Sequence, residues 1–173
     1  MVRISNYLKH WERSASPRQF SGYESMGATQ QLVDAFRMKD GTAITPDKES
    51  GYSKANYSDP KSGWVFAPAG TRNMFVNREP RFYASILYNG APWKGQTLYT
   101  YEGCNDGYAL GGGTTCTGYY MRKLFDENLP KNGIRATDLT YYYMRYAEVL
   151  LIYAEAMAEQ GDIPAALEAL NEV

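Results

Sequence analysis

Three aromatic side chains set in polar, turn-rich stretches are the residues best placed to do chemistry, and the chemistry is stacking. Trp64 lies in the loop KSGWVF, residues 61–66; Trp11 and Tyr23 are spaced among Ser14, Ser16, Pro17, Gly22 and Gly27. An aromatic face suits the apolar C–H face of a pyranose, while the sugar hydroxyls at its edge stay wet. Trp64, Trp11 and Tyr23 are therefore the candidate ligand-binding residues, and the ligand they suit is a saccharide. For each, the competing reading is a ring buried as a loop anchor. Tyr52 and Tyr57 are lesser candidates, and Asn56, Asn73 and Asp59 could hydrogen-bond hydroxyls.

Other chemistries find little support. A glycosidase would need two carboxylates about 5–10 Å apart across a cleft. Glu12, Glu24, Glu79, Glu102 and Asp106 are available but scattered, without a signature. The run Gly111, Gly112, Gly113, Thr114, Thr115 lacks the Gly-Lys-Ser/Thr ending of a phosphate loop. Asn105, Asp106 and Gly107 are a fragment of a calcium-loop pattern without its later glutamate. His10 is the sole histidine, and with two cysteines it is too little for a zinc site. No catalytic residue, metal or cofactor is assigned. Cys104 and Cys116 flank the glycine-rich stretch, so a disulfide is sterically easy and stays open, depending on the compartment. A net charge of −1, without a lysine–arginine cluster, excludes the electrostatic footprint of a nucleic-acid binder.

The elements that must carry these residues are few. The 173 residues suffice for a domain with a core, and 44% hydrophobic content argues against disorder. Aromatics make up 14% of the chain, with 16 tyrosines, which points to tyrosine-lined packing surfaces beside any stacking role. Thr29 can cap a helix over 30–39 with Leu32, Val33, Ala35 and Phe36 inward, stopped by Asp40 and Gly41. Residues 42–80 read as loop. Residues 81–88 alternate as a strand does, with Phe82, Ala84, Ile86 and Tyr88 on one side, although a short helix fits too. Asn89-Gly90 signals a turn, 96–101 reads as a short strand, and 119–125 as a strand or helical turn.

The clearest pattern is C-terminal. Tyr143, Tyr146, Ala147, Leu150, Ala154 and Met157 form one helical stripe, and Gly161 ends the helix. Asp162 caps a second helix with Pro164 in its first turn and Ile163, Ala166, Leu167 and Leu170 on its apolar face. Ala154 and Ala166 are small enough to let the two helices approach closely. Together they read as a tetratricopeptide-type hairpin. Such a hairpin cannot bury its outer face alone, so the chain is expected to be a piece of something larger. No run reaches the roughly 18 apolar residues of a membrane span, and residues 1–10 lack the apolar centre of a secretory signal.

Four stretches carry a family resemblance. TQQLVDAFRMKDG (29–41), NREPRFYASILYNG (77–90) with WKG (93–95), TGYYMRKLF (117–125) and RYAEVLLIYAE (145–155) resemble, in order, the C-terminal portion of SusD/RagB proteins. The resemblance implies a mainly α fold with long irregular loops and a few short strands, a fragment of a larger α-superhelical protein. Residues 1–140 would be its loop-rich ligand side and 141–173 a truncated tetratricopeptide-like pair. It further implies a non-enzymatic, glycan-binding lipoprotein of the Bacteroidetes outer membrane, serving polysaccharide uptake and partnered with a SusC-like TonB-dependent transporter. The lipid anchor would lie on a missing N-terminal part. Some members bind peptides instead; a glycoside hydrolase or a tetratricopeptide interaction module is a more distant alternative. No invariant ligand residue carries over, but Trp93 belongs to the family's structural Tyr-Asn-Gly…Trp-Lys-Gly pattern and reads as packing.

Overall fold

A computed structural model of the chain describes residues 11–23, 26–45, 50–108, 114–130 and 144–173. Glu24, the glycine run at 111–113, the tyrosines at 141–143 and the segment 1–10 lie outside the described residues. The described residues fall into two compact units, one within 11–130 and one within 144–173. The architecture is mainly helical, with long irregular loops and short two-stranded ribbons.

In the first unit, α1 (Trp11–Ala15), α2 (Gln30–Ala35) and α3 (Pro80–Ser85) alternate with three antiparallel ribbons. β1 (Tyr57–Ser58) pairs with β2 (Val65–Ala67), β3 (Ile86–Leu87) with β6 (Tyr120–Met121), and β4 (Pro92–Trp93) with β5 (Gln96–Thr97). None of these ribbons could stand alone in water, so side-chain packing must hold them. The core is a continuous aromatic cluster. Phe66 stacks on Tyr83, Phe82 on Tyr88, and Phe75 lies 4.5 Å from the Tyr88 ring centre. Each such ring, fully buried, contributes about 1.5–3 kcal/mol.

Local signals settle where several elements begin. Thr29 accepts a hydrogen bond from the Leu32 N–H and caps α2, as expected. The helix is shorter than expected, ending at Ala35, with Phe36 extended. Leu32 and Ala35 face solvent, and Val33 is the buried residue. The cause is Arg78. Its buried guanidinium donates to the carbonyls of Val33, Phe36 and Met74 and lies over the Phe82 ring, so long-range bonds replace the last helical turn. Burial pushes the Arg78 pKa down, yet among the described residues no carboxylate accepts from it; carbonyl oxygens and the Phe82 ring face its charge.

Residues 81–88 resolve as a helix passing into a strand. Pro80 sits in the first turn of α3, where a missing N–H costs nothing, and Phe82, Tyr83 and Ile86 turn inward at helical steps. Ala84, placed inward by an alternating pattern, is exposed. The strand expected over 96–101 is only two residues long, and its hairpin turns at Lys94 and Gly95, both at positive φ. Lys94 then reaches back to the fully buried Glu12 at 2.7 Å, tying α1 to the hairpin.

The second unit is a pair of helices, α4 (Tyr146–Glu159) and α5 (Ile163–Glu172). Gly161 takes positive φ after α4, and the Asp162 carboxylate accepts from the Ala165 N–H. Leu150, Ala154 and Ala169 pack together, with Ala166 also buried. Tyr146, placed on the inward stripe by its spacing, is exposed, as are Ile163, Leu167 and Leu170.

Candidate functional site

The β1–β2 hairpin places Trp64. Its turn is stapled by Asp59: one carboxylate oxygen accepts from the Lys61 N–H and the other from the Ser62 hydroxyl. The Ser62 bond, followed by the Lys61 N–H, holds the Asp59 carboxyl below its ordinary range. Ser62 Oγ in turn accepts from the Trp64 N–H, and the Trp64 carbonyl from the Asp59 N–H. The backbone beneath the indole is thus fixed on both sides.

The indole itself is held in orientation and remains open. Arg122 Cζ lies 4.5 Å from its centre, Phe66 meets it edge-on at 4.9 Å, and 39% of the residue faces solvent. Arg122 is itself buried. It lies 5.5 Å from the centre of Trp93 and donates two hydrogen bonds to Glu127, at 2.7 and 2.8 Å. A cation held against an indole fixes the plane of the ring. What remains accessible is part of a ring whose position is held by Arg122 and Phe66.

The other expected residues are placed differently. Tyr23 is exposed, with the Arg13 guanidinium 4.8 Å from its ring centre and donating to its hydroxyl. Trp11 is half-buried in α1, and its indole N–H is enclosed without an acceptor among the described residues. No ring contact or hydrogen bond joins Trp64 to either of them among the described residues. Trp93 is buried. Tyr57 packs against Phe66 and Tyr83. Asn56 accepts from the Ala69 N–H and Asn73 donates to the Ser50 carbonyl, so these amides brace loops.

A pocket of 540 Å³ was not legible in the sequence. Its floor is Met74, Phe75 and Tyr119; its rim carries the exposed rings of Tyr52 and Tyr101, with Arg72 and Asn89 beside them. Tyr119 donates to Gln30 at 2.8 Å, and its burial pushes the phenol pKa up, so it stays a neutral donor. Gly107 is required here: a Cβ on it would lie 1.8 Å from the Tyr101 carbonyl, so only glycine lets the loop close behind Tyr101. A second cleft, 640 Å³ and lined by residues such as Met38, Lys39 and Asn77, has no aromatic wall among the described residues. For recognition of a ring-shaped ligand the smaller, tyrosine-rimmed pocket is the better site.

The acids considered for hydrolysis are largely committed elsewhere. Glu12 is fully buried against Lys94, Asp106 is buried and accepts from the Gln19 N–H, and Glu79 accepts from Arg37 and Arg81. Both cysteines are free thiols, and Cys104 Sγ donates to backbone carbonyls at residues 99 and 101.

The model of the SusD family matches residues 4–173. The chain belongs to the SusD family. A SusD-like carbohydrate binding protein from Bacteroides fragilis has a TM-score of 0.66 at 25% identity, covering 98% of this chain and 32% of that one. A second SusD-like protein from the same organism has a TM-score of 0.65 at 28% identity, covering 99% of this chain and 34% of that one. This SusD-family chain therefore spans about a third of the length of these structures. Among curated proteins none matches significantly.

Sequence reasoning missed three residues of these candidate sites: Arg122, which lies against the Trp64 ring, and the Tyr101 and Arg72 side chains of the pocket. Arg122 reads locally as a surface cation in TGYYMRKLF, and its partner Trp64 lies in another loop. Only an assembled fold brings them together.

Proposed function

We propose that this chain is part of a non-catalytic glycan-binding protein, with Trp64 as a stacking platform. The observation that carries the reading is the indole held by Arg122 and Phe66 yet open to solvent, on a chain of a family with a carbohydrate-binding member. Tyr23, exposed beside Arg13, is a second contact; Trp11 contributes at most its uncovered edge. The protein acts at the outer-membrane surface, held by a lipid anchor, and delivers glycan to a SusC-like TonB-dependent transporter. Among the described residues no helix is long and apolar enough to cross a membrane.

The test is affinity electrophoresis of the full-length protein through gels containing plant, host and microbial polysaccharides. Retardation by at least one glycan, weakened about three- to tenfold by Trp64→Ala, is expected, since one stacked ring contributes about 0.5–1.5 kcal/mol beyond its area. A bound glycan should be recovered unhydrolysed. Binding that ignores Trp64→Ala removes the platform, and binding of peptides alone removes the glycan.

A further inference from the structure

The tyrosine-rimmed pocket has one charged lining residue among the described residues, and its electrostatics point to a particular class of glycan. Arg72 is exposed in the pocket, and its guanidinium has neither an ion pair nor a hydrogen bond among the described residues. The contrast with its neighbours is sharp. Arg78 is used by three carbonyls, Arg81 by Glu79, Arg122 by Glu127 and Arg13 by Tyr23.

The Arg72 backbone is nonetheless fixed. It bridges Tyr52 across an antiparallel pair, and its carbonyl accepts from the Phe75 N–H as a short 3-10 turn, Asn73–Phe75, begins. The two exposed rings flank it from separate segments. Tyr52 comes from across the bridge, and Tyr101 from the loop that closes on Gly107.

Of the remaining polar groups, Thr100 spends its hydroxyl proton on the Gly118 carbonyl, whereas Asn89 keeps donors free. Asn89 spends its carbonyl oxygen on the Thr100 N–H, which leaves its amide N–H groups to donate. Gln30 is spent at both ends, accepting from Tyr119 and donating to Asp34. The nearby acid, Asp34, is exposed on α2, held by Gln30, and does not line the pocket. A site with an unpaired planar guanidinium, an amide donor and two exposed tyrosines is complementary to a planar carboxylate on a saccharide ring.

We infer that this pocket binds an acidic glycan, its Arg72 guanidinium engaging the carboxylate of a uronate residue while Tyr52 and Tyr101 flank the sugar ring. The inference rests on the glycan-binding reading above and assigns a substrate class to a second contact region, apart from Trp64.

The experiment is titration calorimetry of the full-length protein with oligosaccharides of several uronate polymers, such as polygalacturonate and alginate. Each is paired with its carboxyl-reduced, neutral counterpart. Wild type, Arg72→Gln, Arg72→Lys and Trp64→Ala are compared, with circular dichroism confirming the fold; among the described residues the Arg72 side chain has no partner whose loss would unfold it. Expected is tighter binding of at least one uronate ligand than of its reduced form. Arg72→Gln should cut that affinity about tenfold or more and erase the preference, because hydrogen bonds to charged groups exceed neutral ones in strength. Arg72→Lys should retain part of it, and added salt should weaken it.

If neutral glycans bind through Trp64 but no uronate is preferred, this inference is wrong and the glycan reading stands. A uronate preference that survives Arg72→Gln overturns the inference in the same way. If no glycan binds and the Arg72-dependent ligand is a peptide carboxylate, both readings are wrong.

Discussion

Replacing Arg122 by methionine tests whether Trp64 works because it is held. The guanidinium lies 4.5 Å from the centre of Trp64 and 5.5 Å from that of Trp93, and it is bidentate on Glu127. Arg122 is only 5% exposed, so its contact with buried Trp93 is desolvated, whereas that with Trp64 is half-wet. Cation–π contacts are worth about 0.5–1 kcal/mol when exposed and about 2 kcal/mol when desolvated. Glu127 is 42% exposed at its side chain, so the ion pair adds only about 0.2–1 kcal/mol, and losing it strands no buried charge. Methionine refills most of the volume, which leaves a net stability loss of about 1–3 kcal/mol. The assays are urea unfolding and glycan affinity measured on the same protein. Affinity should fall nearly as far as in Trp64→Ala, because a freed indole must be re-ordered on binding, at about 0.5–1.5 kcal/mol. Arg122→Lys should give little rescue, since an ammonium cannot lie flat between two rings or form the bidentate pair. The reasoning fails if Arg122→Met destabilises the fold as expected but leaves affinity at the wild-type level while Trp64→Ala abolishes it.

Two further predictions concern the scaffold. Arg78→Ala strips the Val33, Phe36 and Met74 carbonyls of their donor. Each buried acceptor left unpaired costs about 1–3 kcal/mol, partly offset by releasing the desolvated cation, so a loss of about 3–5 kcal/mol is expected in urea unfolding. A loss below about 1 kcal/mol would show that the carbonyls find other partners. Glu79 gives a pH dependence. Burial works against its ionisation, but the Arg37 N–H and Arg81 outweigh it and hold the carboxyl below its ordinary range. A depressed folded pKa means the contribution is complete above the unfolded value, about 4.3, and is lost as pH falls through the folded one. Stability should therefore decline more steeply below about pH 4.3 in wild type than in Glu79→Gln; parallel acid profiles would refute the assignment.

Local physics made some of this protein legible as sequence. Thr29 caps α2, and Gly161 with Asp162 turns α4 into α5, because caps depend on groups within three or four residues of each other. Four ordered stretches sufficed for the family. Period alone misled where packing overrode it: Leu32 and Tyr146 fit an apolar stripe but face water, and residues 81–88 alternate yet begin as a helix.

The sequence by itself determined the helix boundaries that caps specify, the apolar character of the core rings and a loop-borne tryptophan suited to stacking. Tertiary structure alone decided which rings are open, where α2 stops and which cations are left without a partner. Arg78 reaches Val33 across 45 residues, and the Arg122 guanidinium meets an indole in a separate hairpin. The physical reason is that burial and pairing are properties of neighbours in space. Arg72, Arg78 and Arg122 are the same residue type in similar polar strings, and only the folded chain supplies carbonyls to one, a carboxylate to another, and an open pocket to the third.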